Sequence, residues 1–162
     1  MRPINTTQIL IGTGALALGL LVYLTDRPPE ETYFLARIGV THGLYGFVPP
    51  SFGRLGWNLP SFLHVFAFIL ITGGILGCRK TGSLVVTLGW LVTESAFEVG
   101  QKFPEWSQSL VPRWFDSLPI LENARNFFRT GTFDPWDMVA ATVGAMAAYL
   151  ALLATTERRA SS

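Results

Sequence analysis

Residues 84–101 read LVVTLGWLVTESAFEVGQ, an apolar stretch long enough to cross a membrane that nevertheless carries two carboxylates. On a helix, Glu94, Glu98 and Gln101 are four and three residues apart and therefore form one polar stripe. A carboxyl group at bilayer depth costs about 2.5–3.5 kcal/mol, so it normally faces a partner, a bundle interior or a water-filled cavity. We therefore expect other polar residues of the chain to meet this stripe.

The composition is typical of a membrane protein. Of the 162 residues, 49% are hydrophobic and 14% are charged, which sets the chain apart from an ordinary soluble domain. The formal net charge of +1 provides no basic field, so we predict no nucleic-acid partner. Cys78 is the single cysteine, which excludes an intrachain disulfide and a CxxC pair.

The apolar stretches predict an all-α membrane protein, a four-transmembrane-helix bundle that forms a single polytopic domain over residues 1–162. The first span is about 28 Å long as a helix, enough for a hydrocarbon core of about 30 Å. No small-residue cleavage pattern follows it, so we interpret it as a retained signal anchor. The four predicted spans cover residues 7–25, 60–77, 83–101 and 135–153 approximately.

Two long connections separate these spans, and prolines and glycines argue against a continuous helix in either. We predict short interfacial helices within them, over Glu31–Val40 in the first and Leu118–Thr130 in the second. Asn58 would cap the second span, with Pro60 in its first turn. By contrast, residues 78–81 connect the second and third spans so briefly that these must be antiparallel neighbours.

Small residues mark one face of the first span and one face of the last. Gly12, Ala15 and Gly19 lie on the first. Ala140, Gly144 and Ala148, with Ala141 and Ala145 beside them, lie on the last. Such faces permit close helix contact, either within the chain or with protein partners.

Positive charges predict the orientation of the bundle. Arg79 and Lys80 in the short connection, together with Arg2, Arg158 and Arg159, fall on the side shared by both termini. The positive-inside rule then places both termini in the cytoplasm and the two long loops outside.

With that topology, polar residues from distant parts of the chain reach the outer leaflet. By helical rise, His64 lies about 6 Å below the outer end of its span and Glu98 about 5 Å below Gln101. Arg129, Asp134 and Asp137 stand at the same level, and Glu94 lies deeper. The functional interpretation is a pocket in which His64 and Glu98 share a proton and Arg129 holds an anionic headgroup or phosphate.

Simpler roles compete with this interpretation. Asp134 suits an N-cap, with Pro135 at the first helical position and Asp137 near the positive end of the helix dipole. His64 could be a packing residue, and Arg129 could cap a carbonyl. As a metal site, one histidine and two spaced carboxylates form no recognised ligand set, so we predict no metal and no cofactor.

Three segments carry a family resemblance: Glu98-Val99-Gly100-Gln101, RTGTFDPWD from Arg129 to Asp137 followed by Gly144, and LPSFLHVFAF around His64. Together they resemble the pattern of the VanZ-like family of small integral membrane proteins. The similarity extends over residues 60–153, although Ala141 stands where the family usually has Asn. The resemblance implies a role in the cell envelope, since the founding member is associated with resistance to teicoplanin, and hence a bacterial inner (cytoplasmic) membrane location.

Three functions follow from these patterns. The first is an outer-leaflet polar pocket that binds or handles a membrane lipid or another envelope component. The second is an accessory or structural subunit of a larger membrane complex, and the third is a proton or ion path through Glu94 and Glu98. No nucleophile elbow, Ser-Lys pair or HExxH motif is present, so the sequence leaves open whether the protein is an enzyme.

Overall fold

The described part of the chain folds into six α-helices and two short 3-10 helices. The computed structural model describes residues 3–28, 45, 47, 51–119 and 121–160, with the side chains of residues 157–160 excepted. Helical structure dominates these residues and none of them lies in a β-strand, which confirms the all-α prediction. The α-helices are α1 (Thr6–Asp26), α2 (Leu55–Leu76), α3 (Lys80–Lys102), α4 (Pro104–Leu110), α5 (Ala124–Thr130) and α6 (Pro135–Ala160).

Three of the long helices are candidates for crossing a membrane. By length and composition they are Thr6–Asp26, Leu55–Leu76 and Pro135–Thr156 within α6. Each has 21 or 22 residues, or a little over 30 Å of helix at about 1.5 Å per residue. This agrees with a membrane location. Helix α3 has 23 residues but is not among these candidates.

Helix α2 is the centre of the bundle, and α1 packs against it in the antiparallel direction. Gly12 faces Ile71, and a Cβ atom added to Gly12 would lie 2.7 Å from Ile71 Cγ1. At the end of this contact, the Asn5 backbone N–H donates to the Gly74 carbonyl at 2.8 Å. The small-residue face of α1 is thus used inside the chain.

Helix α6 runs parallel to α2 and packs against it along its small-residue face. A Cβ atom on Gly144 would lie 2.6 Å from the Phe62 carbonyl oxygen, so only glycine permits this approach. About two helical turns further along α6, Leu152 lies against Gly73. The buried core between α2 and α6 consists of Val65, Ile69, Leu70, Ala141, Ala145, Ala148 and Leu152.

The helix directions give the bundle two distinct ends. At the terminal end, the start of α1, the end of α2 and the last turns of α6 meet, since Gln8 bonds to Leu152 and Thr155. At the loop end, the end of α1 meets the start of α2, because Asp26 accepts the Ser51 and Phe52 N–H groups at 2.9 Å. The end of α3 and the start of α6 lie at the loop end too.

Helix α3 completes the bundle with an unusual distribution of side chains. The Trp90 indole N–H donates to Thr72 at 3.0 Å, which joins α3 to α2 in the antiparallel direction. The buried residues of α3 are Ser83, Thr87, Glu98 and Gly100, none of them a large apolar side chain. Its exposed large apolar residues are Leu84, Val85, Leu88, Val92, Phe97 and Val99.

The structure corrects the predicted start of the second span. Helix α2 begins at Leu55, so Pro60 lies inside the helix and Asn58 does not cap it. Two contacts explain the difference. Asp26 binds the backbone N–H groups just before α2, and the Asn58 amide binds Asp134 and Asp137 instead of its own backbone.

The predicted helix over Leu118–Thr130 is shorter than expected. It forms only from Ala124, after 3-10 turns at Arg113–Ser117 and Leu121–Asn123. Leu118 precedes a proline and is extended, with φ −112° and ψ 130°, as expected for a residue whose α conformation clashes with the proline ring. The helix predicted over residues 31–40 lies outside the described residues.

Candidate functional site

The start of α6 organises the polar residues at the loop end. Asp134 caps this helix, because its Oδ1 accepts the Trp136 backbone N–H at 2.9 Å. Pro135 follows at the first helical position, where a missing N–H costs nothing. Asp137 lies in the first turn, near the positive end of the helix dipole. The capping role predicted for Asp134 is therefore confirmed.

Two side chains of α2 hold Asp137 in place. Asp137 Oδ1 accepts hydrogen bonds from Asn58 Nδ2 and from the Ser61 hydroxyl, both at 2.9 Å. Asn58 Nδ2 also lies 3.3 Å from Asp134 Oδ2. The two aspartates thus share one amide donor, and the start of α6 is fixed against the start of α2.

Glu98 brings α3 into the same group. Its side chain is only 7% exposed, and the Asp134 backbone N–H acts favourably on its carboxylate. The other oxygen, Oε2, is buried and has no hydrogen-bond partner among the described residues. The charged groups that act on it are Asp137, Glu94 and Asp134, all carboxylates.

Glu94 extends this group one helical turn deeper along α3. It is half-buried and interacts electrostatically with Asp137. We refer to Glu94, Glu98, Asp134 and Asp137 as the acidic cluster. Its members come from two helices, α3 and α6, that are separated in sequence by a long connection.

His64, on α2, lies in an aromatic setting. Its imidazole stacks with the rings of Tyr23 and Phe68, with centroid distances of 6.1 Å in each case. Within the described part of the chain no hydrogen bond joins it to Glu98. Proton sharing between these two side chains therefore has no direct contact to support it.

Arg129 and Gln101 lie at the edge of the site. Arg129 is exposed at the end of α5, and its guanidinium donates to Asn126 Oδ1 at 2.7 Å. Because it bonds back along its own helix, it adds no charge to the acidic cluster, and the predicted anion-holding role finds no contact here. Gln101 packs on Gly131, where a Cβ would lie 2.7 Å from Gln101 Cδ.

Other cations of this region are bound elsewhere. The Arg27 guanidinium donates to the Trp57 carbonyl at 2.7 Å and lies 5.3 Å from the Tyr23 ring centroid. Lys102 Nζ lies 5.4 Å from the ring centroid of Phe133, the residue before Asp134. Lys102 therefore stands at the rim of the acidic cluster and not inside it.

Sequence reasoning missed Asn58 and Ser61 as site residues. Their signal is the spacing of Asn58, Ser61 and His64, three residues apart along α2 and hence on one face of the helix. Asn58 was explained as a helix cap, so this face was not recognised as polar.

The arrangement suits hydrogen-bond donors and protons better than metal ions. Across the described residues, no group of three or more His, Cys, Asp or Glu side chains converges closely enough to hold a metal. Asp137 and Asp134 already accept hydrogen bonds. The unpaired Glu98 Oε2 can take a donor from a ligand or bind a proton itself.

A cavity of about 230 Å³ lies at the opposite, terminal end of the bundle. It is far from the acidic cluster and contains no carboxylate. Its lining consists of Pro3, Asn5, Gln8, Gly77, Cys78, Arg79 and Thr156.

No protein-family model, no curated protein and no solved structure matches the chain. The resemblance to the VanZ-like family therefore stays a prediction from the sequence pattern. Function has to be argued from the site itself.

Proposed function

We propose that this chain is a four-span integral membrane protein whose acidic cluster, with Asn58 and Ser61, binds the polar head of a lipid or another envelope component. In a bacterial cell it would lie in the cytoplasmic membrane, with both termini in the cytoplasm and the loop end at the outer leaflet.

The distribution of side chains on α3 supports a fourth span. This helix buries Ser83, Thr87 and Glu98 while it exposes a series of large apolar residues. In water that distribution would leave apolar side chains hydrated and place polar ones inside. In a bilayer the same distribution is favourable, because lipid solvates the apolar face and the bundle solvates the polar one.

The observation that carries the proposal is the unpaired Glu98 Oε2. A buried carboxylate oxygen without a donor is costly, and such groups in membrane helices mark ligand or ion sites. The surrounding aspartates accept hydrogen bonds from Asn58 and Ser61, and as carboxylates they offer Oε2 no donor. A ligand that supplies a donor would complete the site.

Lipid retention tests this proposal. Ser61→Leu fills the space beside Asp137, and Thr142→Leu is the matched control, because Thr142 is exposed on α6 and bonds only to its own helix at Met138. Native mass spectrometry of the full chain in mild detergent should show a lipid retained by the wild type and by Thr142→Leu. Ser61→Leu should lose it.

Two results would contradict the proposal. One is a wild-type protein that retains no lipid, and the other is equal retention by Ser61→Leu. A stoichiometric protein that co-purifies with the wild type would instead favour the accessory-subunit hypothesis.

A proton path is the second candidate, favoured by the position of Glu94. This residue lies one turn below Glu98, and both interact with Asp137, so carboxylates are present at two successive depths along α3. Proton-tight vesicles containing the protein should then acidify under an imposed potential, and Glu94→Gln should abolish the flux. Equal flux in empty vesicles would eliminate this function.

A further inference from the structure

The charges around the site identify the kind of headgroup that fits it. We propose that the acidic cluster recognises an ammonium group, as in phosphatidylethanolamine, and not an anionic headgroup. This inference rests on the proposed function and specifies the ligand of the same site.

The first argument is the sign of the field inside the site. Glu98 is influenced by Glu94, Asp134 and Asp137, and its 7% exposed side chain leaves Oε2 unpaired. An anion brought to this oxygen would meet like charge, which costs free energy in a poorly solvated setting. A cation that donates hydrogen bonds would gain from the same charges.

The second argument is the number of free ligand oxygens in the site. Asp137 Oδ1 and Asp134 Oδ1 are occupied by donors from the protein, so the described oxygens do not form the multidentate shell that Mg²⁺ or Ca²⁺ requires. An ammonium group needs fewer free oxygens than a metal ion. It offers three N–H donors, and one charge-assisted bond to Glu98 Oε2 would satisfy the orphan atom.

The third argument is the position of the available positive charge. Arg129 is exposed and Lys102 lies over Phe133, next to Asp134. Both belong to the rim of the loop end and not to its interior. An ammonium inside with a phosphate at the rim matches a zwitterionic headgroup that enters amine first.

The test is a competition between headgroups. The delipidated full chain is exchanged into mixed micelles with equal amounts of phosphatidylethanolamine and phosphatidylglycerol, in EDTA to prevent bridging by divalent ions. Lipids retained after purification are then quantified by mass spectrometry. We expect about a tenfold enrichment of phosphatidylethanolamine, the discrimination that a charge-assisted hydrogen bond provides.

Variants test whether Glu98 causes the preference for phosphatidylethanolamine. Glu98→Gln keeps the shape of the side chain but removes its charge, so the enrichment should fall to nearly one. Glu105→Gln, at an exposed position on α4, should keep the wild-type value. Circular dichroism and elution volume confirm folding, and Asp137→Asn serves as a second variant if Glu98→Gln misfolds.

Two further arms separate the sources of the ammonium group. Phosphatidylcholine has a cation without N–H donors and should compete poorly. Displacement of the lipid by soluble phosphoethanolamine supports recognition of the headgroup alone, and resistance to it supports recognition of the whole lipid.

The outcomes also separate the two proposals. Retained lipid without preference for phosphatidylethanolamine, or with preference for phosphatidylglycerol, overturns the ammonium assignment and leaves lipid binding intact. A wild-type chain that retains neither lipid overturns both.

Discussion

The two ends of the bundle each hold a buried polar side chain, but of opposite kinds. At the terminal end Gln8 is 1% exposed, and its amide donates to Thr155 Oγ1 at 2.8 Å and lies 3.4 Å from the Leu152 carbonyl and Thr156 Oγ1. At the loop end Glu98 is a carboxylate surrounded by carboxylates. Among the residues that the structure describes, each has one oxygen without a donor, Gln8 Oε1 and Glu98 Oε2.

The difference distinguishes a packing group at the terminal end from the site proposed at the loop end. A neutral amide that links α1 to α6 stabilises the assembly of helices, as small polar groups do in membrane bundles. A carboxylate grouped with like charges does not stabilise the fold, so its presence is better explained by a ligand or a proton. The predictions below concern thermal unfolding of the purified chain in one detergent without added lipid.

The largest loss of stability should come from a change at the close contact between α2 and α6, which supports both ends. Gly144→Val would drive a side chain into the Phe62 carbonyl, 2.6 Å from the added Cβ, and separate α2 from α6. We expect a loss of about 3 kcal/mol. Gly89→Ala is the control, since nothing lies within 4 Å of a Cβ there, and it should be neutral or slightly stabilising. Equal stability of the two variants would refute the packing described.

A charge placed at the terminal end should be the next most damaging change. Gln8→Glu removes the donor to Thr155 and buries a carboxylate near the Leu152 carbonyl. The expected cost is about 2 kcal/mol. Gln108→Glu alters the same residue type on α4, where the amide donates to the Pro104 carbonyl of its own helix, and should cost much less. If Gln8→Glu loses no more stability than Gln108→Glu, the distinction between the two ends does not hold.

The shared donor at the loop end should have an intermediate effect. Asn58→Ala removes the hydrogen bond that Asn58 donates to Asp137 and the longer one that it donates to Asp134. The free energy of unfolding should fall by about 1.5 kcal/mol. Asn126→Ala, at an exposed site on α5, should change stability by less than about 0.5 kcal/mol. If both variants unfold alike, Asn58 does not hold the two helices together.

The smallest effect on stability should come from Glu98→Gln. The amide keeps an oxygen for the Asp134 N–H and removes a charge from among three other carboxylates. We expect a change within about 0.5 kcal/mol, or a gain. A loss as large as that of Gln8→Glu would show that the Glu98 carboxylate is a structural group after all.

The sequence was most informative where periodicity and capping chemistry coincide. The apolar stretches predicted the long helices, and Asp134-Pro135 predicted the start of α6, because these signals are local. The predicted start of α2 was wrong because the residues just before the helix are held by Asp26 of α1, a contact that leaves no local sequence signal. The convergence of Glu98 with Asp134 followed from counting helical rise, whereas Asn58 and Ser61 were missed because their partners are distant in sequence.

The acidic cluster depends on α6 for Asp134 and Asp137. Among the described helices α6 follows α3 in the chain, so Glu98 and Glu94 are already synthesised when their partners on α6 are made. Docking of α6 against α2 and α3 is therefore the step that assembles the cluster.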